Sequence, residues 1–284
     1  MTKTIAYITD IHLDEQFPID NGVDTRSNWK LLLGDVASKN IDEIIFGGDI
    51  GEISANEWFF DSLKEFTLNL TLGNHDQFAE ASKHFKSKHL NGYDELYYSF
   101  EDEYLKYVFL DTSSNSLSPS QFEWLRSELE TQKKVLLFLH HPVLAVETPI
   151  DNYYPLNGRE KIAELLQEHN NEITIFCGHY HAADERTDGK IRQIMTPATS
   201  YQVKKYHDAS DIPGFTRAYI TPDGGITWNT TNDNLHESKL GDNTIITNAN
   251  TFGYRIIMIE DGKIDTKLLL YKDGKFVIAT AHEF

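Results

Sequence analysis

Apolar residues along this chain fall into short runs that stop abruptly on polar ones. Lys3 to Thr9, Ile41 to Phe46, Phe66 to Leu70, Leu105 to Leu110, Lys133 to Leu139 and Ile173 to Cys177 are such runs. Their length and β-branched content predict buried strands. Between them, apolar spacing of three and four predicts helices. Trp29, Leu32, Leu33 and Val36 share a face over Asp24 to Asn40, and Phe122, Leu125 and Leu129 follow a Ser118-Pro119 start; serine is a good N-cap and proline fits the first helical position. Further helices are predicted over Asn56 to Phe66 and Gly158 to His169, a hairpin near Tyr97 to Tyr104, and loops over 13 to 23 and 143 to 157. Alternating strand and helix predicts right-handed crossovers and a largely parallel central sheet.

After residue 186 the pattern changes. Asp188-Gly189, Asp223-Gly224, Asp261-Gly262 and Asp273-Gly274 separate short alternating runs, which predicts antiparallel hairpins. Gly214-Phe215-Thr216-Arg217 and Gly253-Tyr254-Arg255 resemble each other, as a small duplication or by coincidence.

The chain has 284 residues, 40% of them apolar, enough for one large domain or two small ones. Its net charge of −18 makes extended nucleic acid or an anionic membrane a poor partner. A small phosphate ester stays open, because bound cations dominate a local field. Cys177 is the one cysteine, so no intramolecular disulfide forms. No apolar run approaches the roughly 20 residues that span a bilayer. The N-terminus enters a strand at once, and the expectation is a soluble cytoplasmic protein.

The residues just after the strands carry the chemistry. Asp10 and His12 follow the first, Asp49 the second, Asn74 and His75 the third, His140 the fifth, and His179 and His181 the sixth. Loops at the carboxyl ends of parallel strands converge on ligands. Imidazole and oxygen donors together suit manganese, iron, zinc or cobalt. Asp10, His12, Asp49, Asn74, His140, His179 and His181 are seven candidate ligands, more than one ion needs, and suit two sharing a carboxylate, with Asp49 as the bridge. Extended backbone over Asp10-x-His12 and His179-x-His181 would put each pair on one face.

The ordered set Asp10-x-His12, Gly48-Asp49, Gly73-Asn74-His75-Asp76, His140 and Gly178-His179-x-His181 resembles the calcineurin-like metallophosphoesterases. Asp111-Thr112, Gln121 to Leu125 and Thr196 to Gln202 are similar to segments of the class III cyclic-nucleotide phosphodiesterase and glycerophosphodiesterase branch. The resemblance implies a four-layered α/β/β/α sandwich with a dinuclear site. It implies a catalytic core over 1–202 and a β-rich part over 203–284 that completes the sandwich, with an insertion around 203–250. By that pattern Asp10, His12, Asp49 and His181 hold one ion, and Asp49, Asn74, His140 and His179 the other. His141 is the spare histidine of its pair. His75 sits beside the phosphate; because an alkoxide leaves poorly, it is the candidate general acid or a charge-stabilising donor, with Asp76 either orienting it or capping the next helix. Ile50-Gly51-Glu52 departs from the Asp-Arg-Gly of the serine/threonine phosphatases.

The expected reaction is metal-dependent hydrolysis of a small phosphodiester, with a monoesterase, a nuclease or a non-catalytic scaffold as alternatives. Related enzymes are often homodimers. Asn74, His75 and Tyr180 are the candidate substrate contacts. Arg26, Tyr153, Tyr154, Asn157, Tyr201 and Gln202 lie in loops that could reach the mouth, and Lys204 and Lys205 could attract phosphate.

Overall fold

A computed structural model of the chain describes residues 2–87, 90, 94–146, 148–203, 219–220, 226–227, 235–240, 243–249 and 251–281. The chain begins with β1 (Lys3–Ile8), α1 (Gln16–Asp20), α2 (Thr25–Ser38) and β2 (Glu43–Phe46). It continues through α3 (Asn56–Ser62), β3 (Thr67–Leu70), α4 (Phe78–Ala81), β4 (Tyr98–Glu101) and β5 (Leu105–Phe109). Then come α5 (Pro119–Glu128), β6 (Lys134–Phe138), α6 (Pro149–Tyr153), α7 (Arg159–Glu168) and β7 (Ile173–Cys177). Strands dominate the remainder: β8 (Asp184–Asp188), β9 (Ile191–Met195), β10 (Gln202–Val203), β11 (Tyr219–Ile220), β12 (Ile226–Thr227), β13 (Leu235–Leu240), β14 (Asn243–Asn248), β15 (Gly253–Glu260), β16 (Lys263–Lys272) and β17 (Lys275–Ala279).

The parallel strands expected from strand–helix alternation divide between two sheets, as the expected sandwich requires. One six-stranded sheet runs β17-β16-β15-β1-β2-β3 and the other β4-β5-β6-β7-β9-β8. A parallel strand needs a crossover of a dozen or more residues, usually helical. Between β3 and β4 the described helix, α4, has only four residues, and β4 pairs instead as a hairpin on β5. The parallel character survives locally, in β1-β2-β3 and in β5-β6-β7-β9. The last three strands return antiparallel to the open side of β1, with Tyr7 opposite Arg255. The small β10-β14-β13 and β11-β12 sheets lie apart from this order.

The central strands β6 and β7 of the second sheet are almost continuously apolar because both of their faces are covered. On β6, Val135 and Leu137 join Leu125, Leu129, Ile162 and Leu166 of α5 and α7 and their flanks. Leu136 and Phe138 point the other way, into the core shared with the first sheet. There Tyr98, Phe109, Phe138 and Phe176, one from each of β4 to β7, form a stack with centroid spacings of 4.5, 4.8 and 5.4 Å. Tyr7 of β1 meets Phe138 and Phe176 at 5.9 and 5.6 Å. Trp29 of α2 packs with Phe59 of α3 and Phe46 of β2 beyond the first sheet. Helix, sheet, sheet, helix is therefore the layer order. Arg255 ties the sheets together from a buried position, with Nη1 on Glu185 Oε1 at 2.9 Å and on Thr266 Oγ1 at 3.1 Å.

Several boundaries differ from the periodicity. The expected loops over 13–23 and 143–157 contain α1 and α6, each five residues long and too short to repeat an apolar face. Helix α3 stops at Ser62 rather than Phe66. The expected features at Lys204, Lys205, Gly214-Phe215-Thr216-Arg217 and Asp223-Gly224 lie outside the described residues, as does most of the expected insertion. Among the described residues no helix is long and apolar enough to cross a membrane.

Candidate metal centre

Register aligns the strand ends. Ile8 lies opposite Phe46, and Phe46 opposite Leu70; Phe138 lies opposite Phe176 in the second sheet. The segments that follow therefore leave at one level. They do not leave extended, as Asp10-x-His12 and His179-x-His181 suggested. Asp10, His12, Asp49, His179 and His181 all have left-handed backbone, with φ of 56°, 49°, 62°, 74° and 51°. Each such non-glycine residue costs about 1–3 kcal/mol unless its surroundings hold it. Five strained residues converging on one spot mark where tertiary packing is applied to position side chains.

Three glycines make room for that convergence. A Cβ at Gly73 would overlap Asp49 Oδ1, and one at Gly178 would overlap Asp10 Oδ2. Gly48, at φ 99°, would meet the backbone of Gly73 and the ring of His140. Close approach of carboxylates, more than turn geometry, requires glycine here.

The side chains assemble into two groups. Candidate ligand atoms of Asp10, His12 and His181 lie within 4.8 Å of one another, and so do those of Asp49, His140 and His179. Asp49 Oδ2 stands between the groups, 3.1 Å from His140 Nε2 and 3.4 Å from His12 Nε2. Asp10 Oδ1 is 3.6 Å from His181 Nε2 and 3.8 Å from His140 Nε2. Asn74 is exposed in the same loop as His75. His141 joins neither group. It is buried, bonds Thr112 Oγ1 through Nδ1 at 2.9 Å, and packs 4.1 Å from the His179 ring.

Each grouped imidazole has one nitrogen committed to oxygen. His140 Nδ1 donates to Gly47 O at 2.9 Å, and His181 Nδ1 to Tyr201 O at 3.1 Å. His179 Nε2 donates to Tyr154 O at 3.0 Å, and His12 Nδ1 to Glu15 Oε2 at 2.9 Å. Such outer partners fix the tautomer and aim the other nitrogen inward. His12 Nε2 and His181 Nε2 face each other at 2.9 Å. Two lone pairs cannot sit so close without a proton or a cation between them. His140 Nε2 is buried and faces the Asp49 and Asp10 carboxylates. This donor set fits metal ions.

The electrostatics point the same way. Burial pushes the Asp10 carboxyl up, and the neighbouring Asp49 charge adds to it. Burial also works against Asp49, but the charge and hydrogen bond of His140 hold it well below the usual carboxylate range. Burial lowers His140, yet Asp49 and Asp10 raise it to about 10. His12 likewise stands at about 9, with Glu15 and Asp49 overcoming burial. His179 falls to about 3 through burial and the charge of His140. Two buried carboxylates here attract positive charge from whatever source is present.

Asp76 takes neither expected role. Its carboxylate accepts Asp49 N, Ile50 N and Gly73 N at 2.8, 2.8 and 2.9 Å, bracing the Asp49 loop against the Gly73 loop. Burial and Asp49 raise its carboxyl to about 7. Helix α4 has Gln77 at its cap and no side-chain cap bond. His75 projects at the rim with its side chain 43% exposed. Its amide donates to Asp49 Oδ1, and its Nδ1 bonds Glu15 Oε1, both at 2.9 Å.

Tyr180, expected at the mouth, is 1% exposed, and its hydroxyl is committed to Asp151. Arg26 forms a two-bond pair with Asp14 and lies 4.4 Å over the Trp58 ring. Tyr154 and Tyr201 contribute through backbone carbonyls to His179 and His181. Tyr153 and Asn157 are exposed, while Gln202 is buried. Sequence reasoning missed Glu15, which sits among ordinary loop acids; its only signal is standing three residues after His12.

Residues 3–183 match the model of a family described as calcineurin-like phosphoesterase. A probable cyclic nucleotide phosphodiesterase of Fibrobacter succinogenes is 28% identical over 210 residues, covering 70% of this chain and 80% of that protein. A probable glycerophosphodiester phosphodiesterase of Arcobacter nitrofigilis is 28% identical over 212 residues, covering 66% and 77%. A dimetal phosphatase from Danio rerio shares the fold at a TM-score of 0.56 and 14% identity, over 90% of this chain and 95% of that one. Every strand end that feeds the centre falls inside the matched span, and the chain belongs to the calcineurin-like phosphoesterase family, as a phosphoester hydrolase.

Proposed function

We propose that this chain hydrolyses a small phosphodiester, a cyclic nucleotide or a glycerophosphodiester, at a dinuclear metal centre. The observation that carries this reading is the pair of carboxylate–imidazole groups meeting at Asp49, with the exposed His75 beside them. Asp10, His12, Asp49 and His181 would hold one ion, and Asp49, Asn74, His140 and His179 the other. Ions of the manganese, iron, zinc or cobalt class would supply an acidified water as nucleophile and offset phosphoryl charge.

The protein's own groups do the rest. Gly47, Glu15, Tyr154 and Tyr201 hold the imidazoles in one tautomer. Asn74 and His75 contact the phosphoryl group. His75 holds a proton for the departing oxygen, because an alkoxide leaves poorly without one. Burial pulls the His75 imidazole down, but the Glu15 hydrogen bond and the Asp49 charge raise it overall, which favours the proton-bearing form. The relatives named as phosphodiesterases support a diester. The net charge of −18 speaks against long nucleic acid. A monoesterase is the second reading, since the same centre suits either ester.

A panel with Mn²⁺ tests this: bis-p-nitrophenyl phosphate, p-nitrophenyl phosphate, cyclic AMP and a glycerophosphodiester. The expected outcome is faster turnover of diesters than of the monoester, abolished by chelation. Turnover of none would sink the proposal, and a faster monoester would move the chain to the second reading.

A further inference from the structure

Glu15 lies just before α1, in extended backbone with φ −71° and ψ 147°. Its carboxylate is divided between two rings. Oε2 is 2.9 Å from His12 Nδ1, and Oε1 is 2.9 Å from His75 Nδ1. The two rings meet edge to face at 4.6 Å. The carboxylate is shielded, with a side-chain exposure of 14%.

An ionised carboxylate only accepts hydrogen bonds. Both Nδ1 atoms must therefore carry hydrogen, and the working nitrogen of both rings becomes Nε2. His12 Nε2 faces Asp49 Oδ2 at 3.4 Å and His181 Nε2 at 2.9 Å. On His75, Nε2 is the nitrogen left for a substrate.

We infer that Glu15 is a positioning residue that sets His12 for metal and His75 for the leaving group with one carboxylate. The inference rests on the phosphodiester reading above and adds to it a dependence on the leaving group. During hydrolysis water adds OH to phosphorus, and the bond from phosphorus to the departing oxygen breaks. That oxygen keeps the electron pair and takes the proton from His75 Nε2. The other water proton is released to solvent, and His75 regains a proton from solvent, so no net proton is lost by the protein. An aryloxide leaves without the proton, whereas an alkoxide needs it. Loss of Glu15 should therefore hurt alkyl esters more than aryl esters.

The test uses Glu15→Ala, Glu15→Gln and Glu15→Asp. In the metal-free protein, ring-nitrogen NMR should find exchange-protected Nδ1 protons on His12 and His75, and Glu15→Ala should lose both. After Mn²⁺ loading, Glu15→Gln should keep its full metal count. Its kcat should fall about 10–100-fold further on a glycerophosphodiester than on bis-p-nitrophenyl phosphate, and Glu15→Asp should recover part of that gap. Equal losses on the two esters, or protected protons surviving in Glu15→Ala, would overturn the inference. So would a metal count that falls by one in every variant, because Glu15, His12 and His75 would then be ligands of a further ion. Wild-type protein that turns over neither diester would overturn the phosphodiester reading instead, with the NMR comparison still deciding the role of Glu15.

Discussion

At the scale of single residues, the centre depends on which nitrogen of each imidazole is occupied. His140, His179, His181 and His12 each give one nitrogen to oxygen and turn the other inward. Histidine type and strand-end position were legible in the sequence. The acceptors were not, because three of them are backbone carbonyls of Gly47, Tyr154 and Tyr201, which any residue would supply. Tyr180 illustrates the limit: it stands between two histidines in sequence, yet its hydroxyl goes to Asp151. His75 differs from the grouped histidines in its exposure and belongs to the rim. His75→Asn should retain both metals by elemental analysis and lose about 10²–10⁴-fold in kcat on an alkyl diester. A variant depleted of metal would reassign His75 as a ligand.

At the scale of elements, apolar runs reveal the strands and their ends, but the backbone after the first and sixth strands is not the extended one that the x-spaced pairs suggest. Period-two reasoning treated Asp10-x-His12 as extended, whereas both residues are left-handed. Local preference opposes that conformation, so local pattern cannot reveal it. Packing imposes it, through contacts such as Asp76 holding the Asp49 and Gly73 loops together. The glycines were visible as punctuation, but their reason was not. Gly178 is needed because Asp10 Oδ2 lies where a Cβ would be. Gly178→Ala should therefore displace Asp10 and weaken metal binding at least tenfold in a chelator competition, while α5 and α7, which pack elsewhere, keep their circular dichroism. Unchanged metal affinity would show that the loop absorbs the methyl group.

At the scale of the whole molecule, two sheets enclose two carboxylates that demand positive charge. His12 and His140 are held at about 9 and about 10, against about 6.5 in an unfolded chain. The folded state thus binds those protons more tightly. The stabilisation they provide is complete below about pH 6.5 and is lost as pH rises through 9 to 10. Metal-stripped protein should show a falling urea midpoint from pH 7 to pH 10. Metal-loaded protein should fall less, because bound cations answer the same carboxylates, and loading at pH 7 should release protons. Parallel declines in the two samples would place the pH sensitivity outside the centre.

The strand-end positions of Asp10, His12, Asp49, Asn74, His75, His140, His179 and His181 are visible in the sequence because a buried strand is apolar and its end is the first place a polar residue can stand. The same logic exposed the helices long enough to repeat an apolar face. Only the tertiary structure decided how the strands are shared and paired within the two sheets, that five of those residues adopt strained backbone, that Asp76 braces loops, and that Glu15 joins His12 to His75. These are contacts between segments far apart in the chain, or conformations that local preference resists. Their energy comes from packing the two sheets together, which no single stretch of sequence contains.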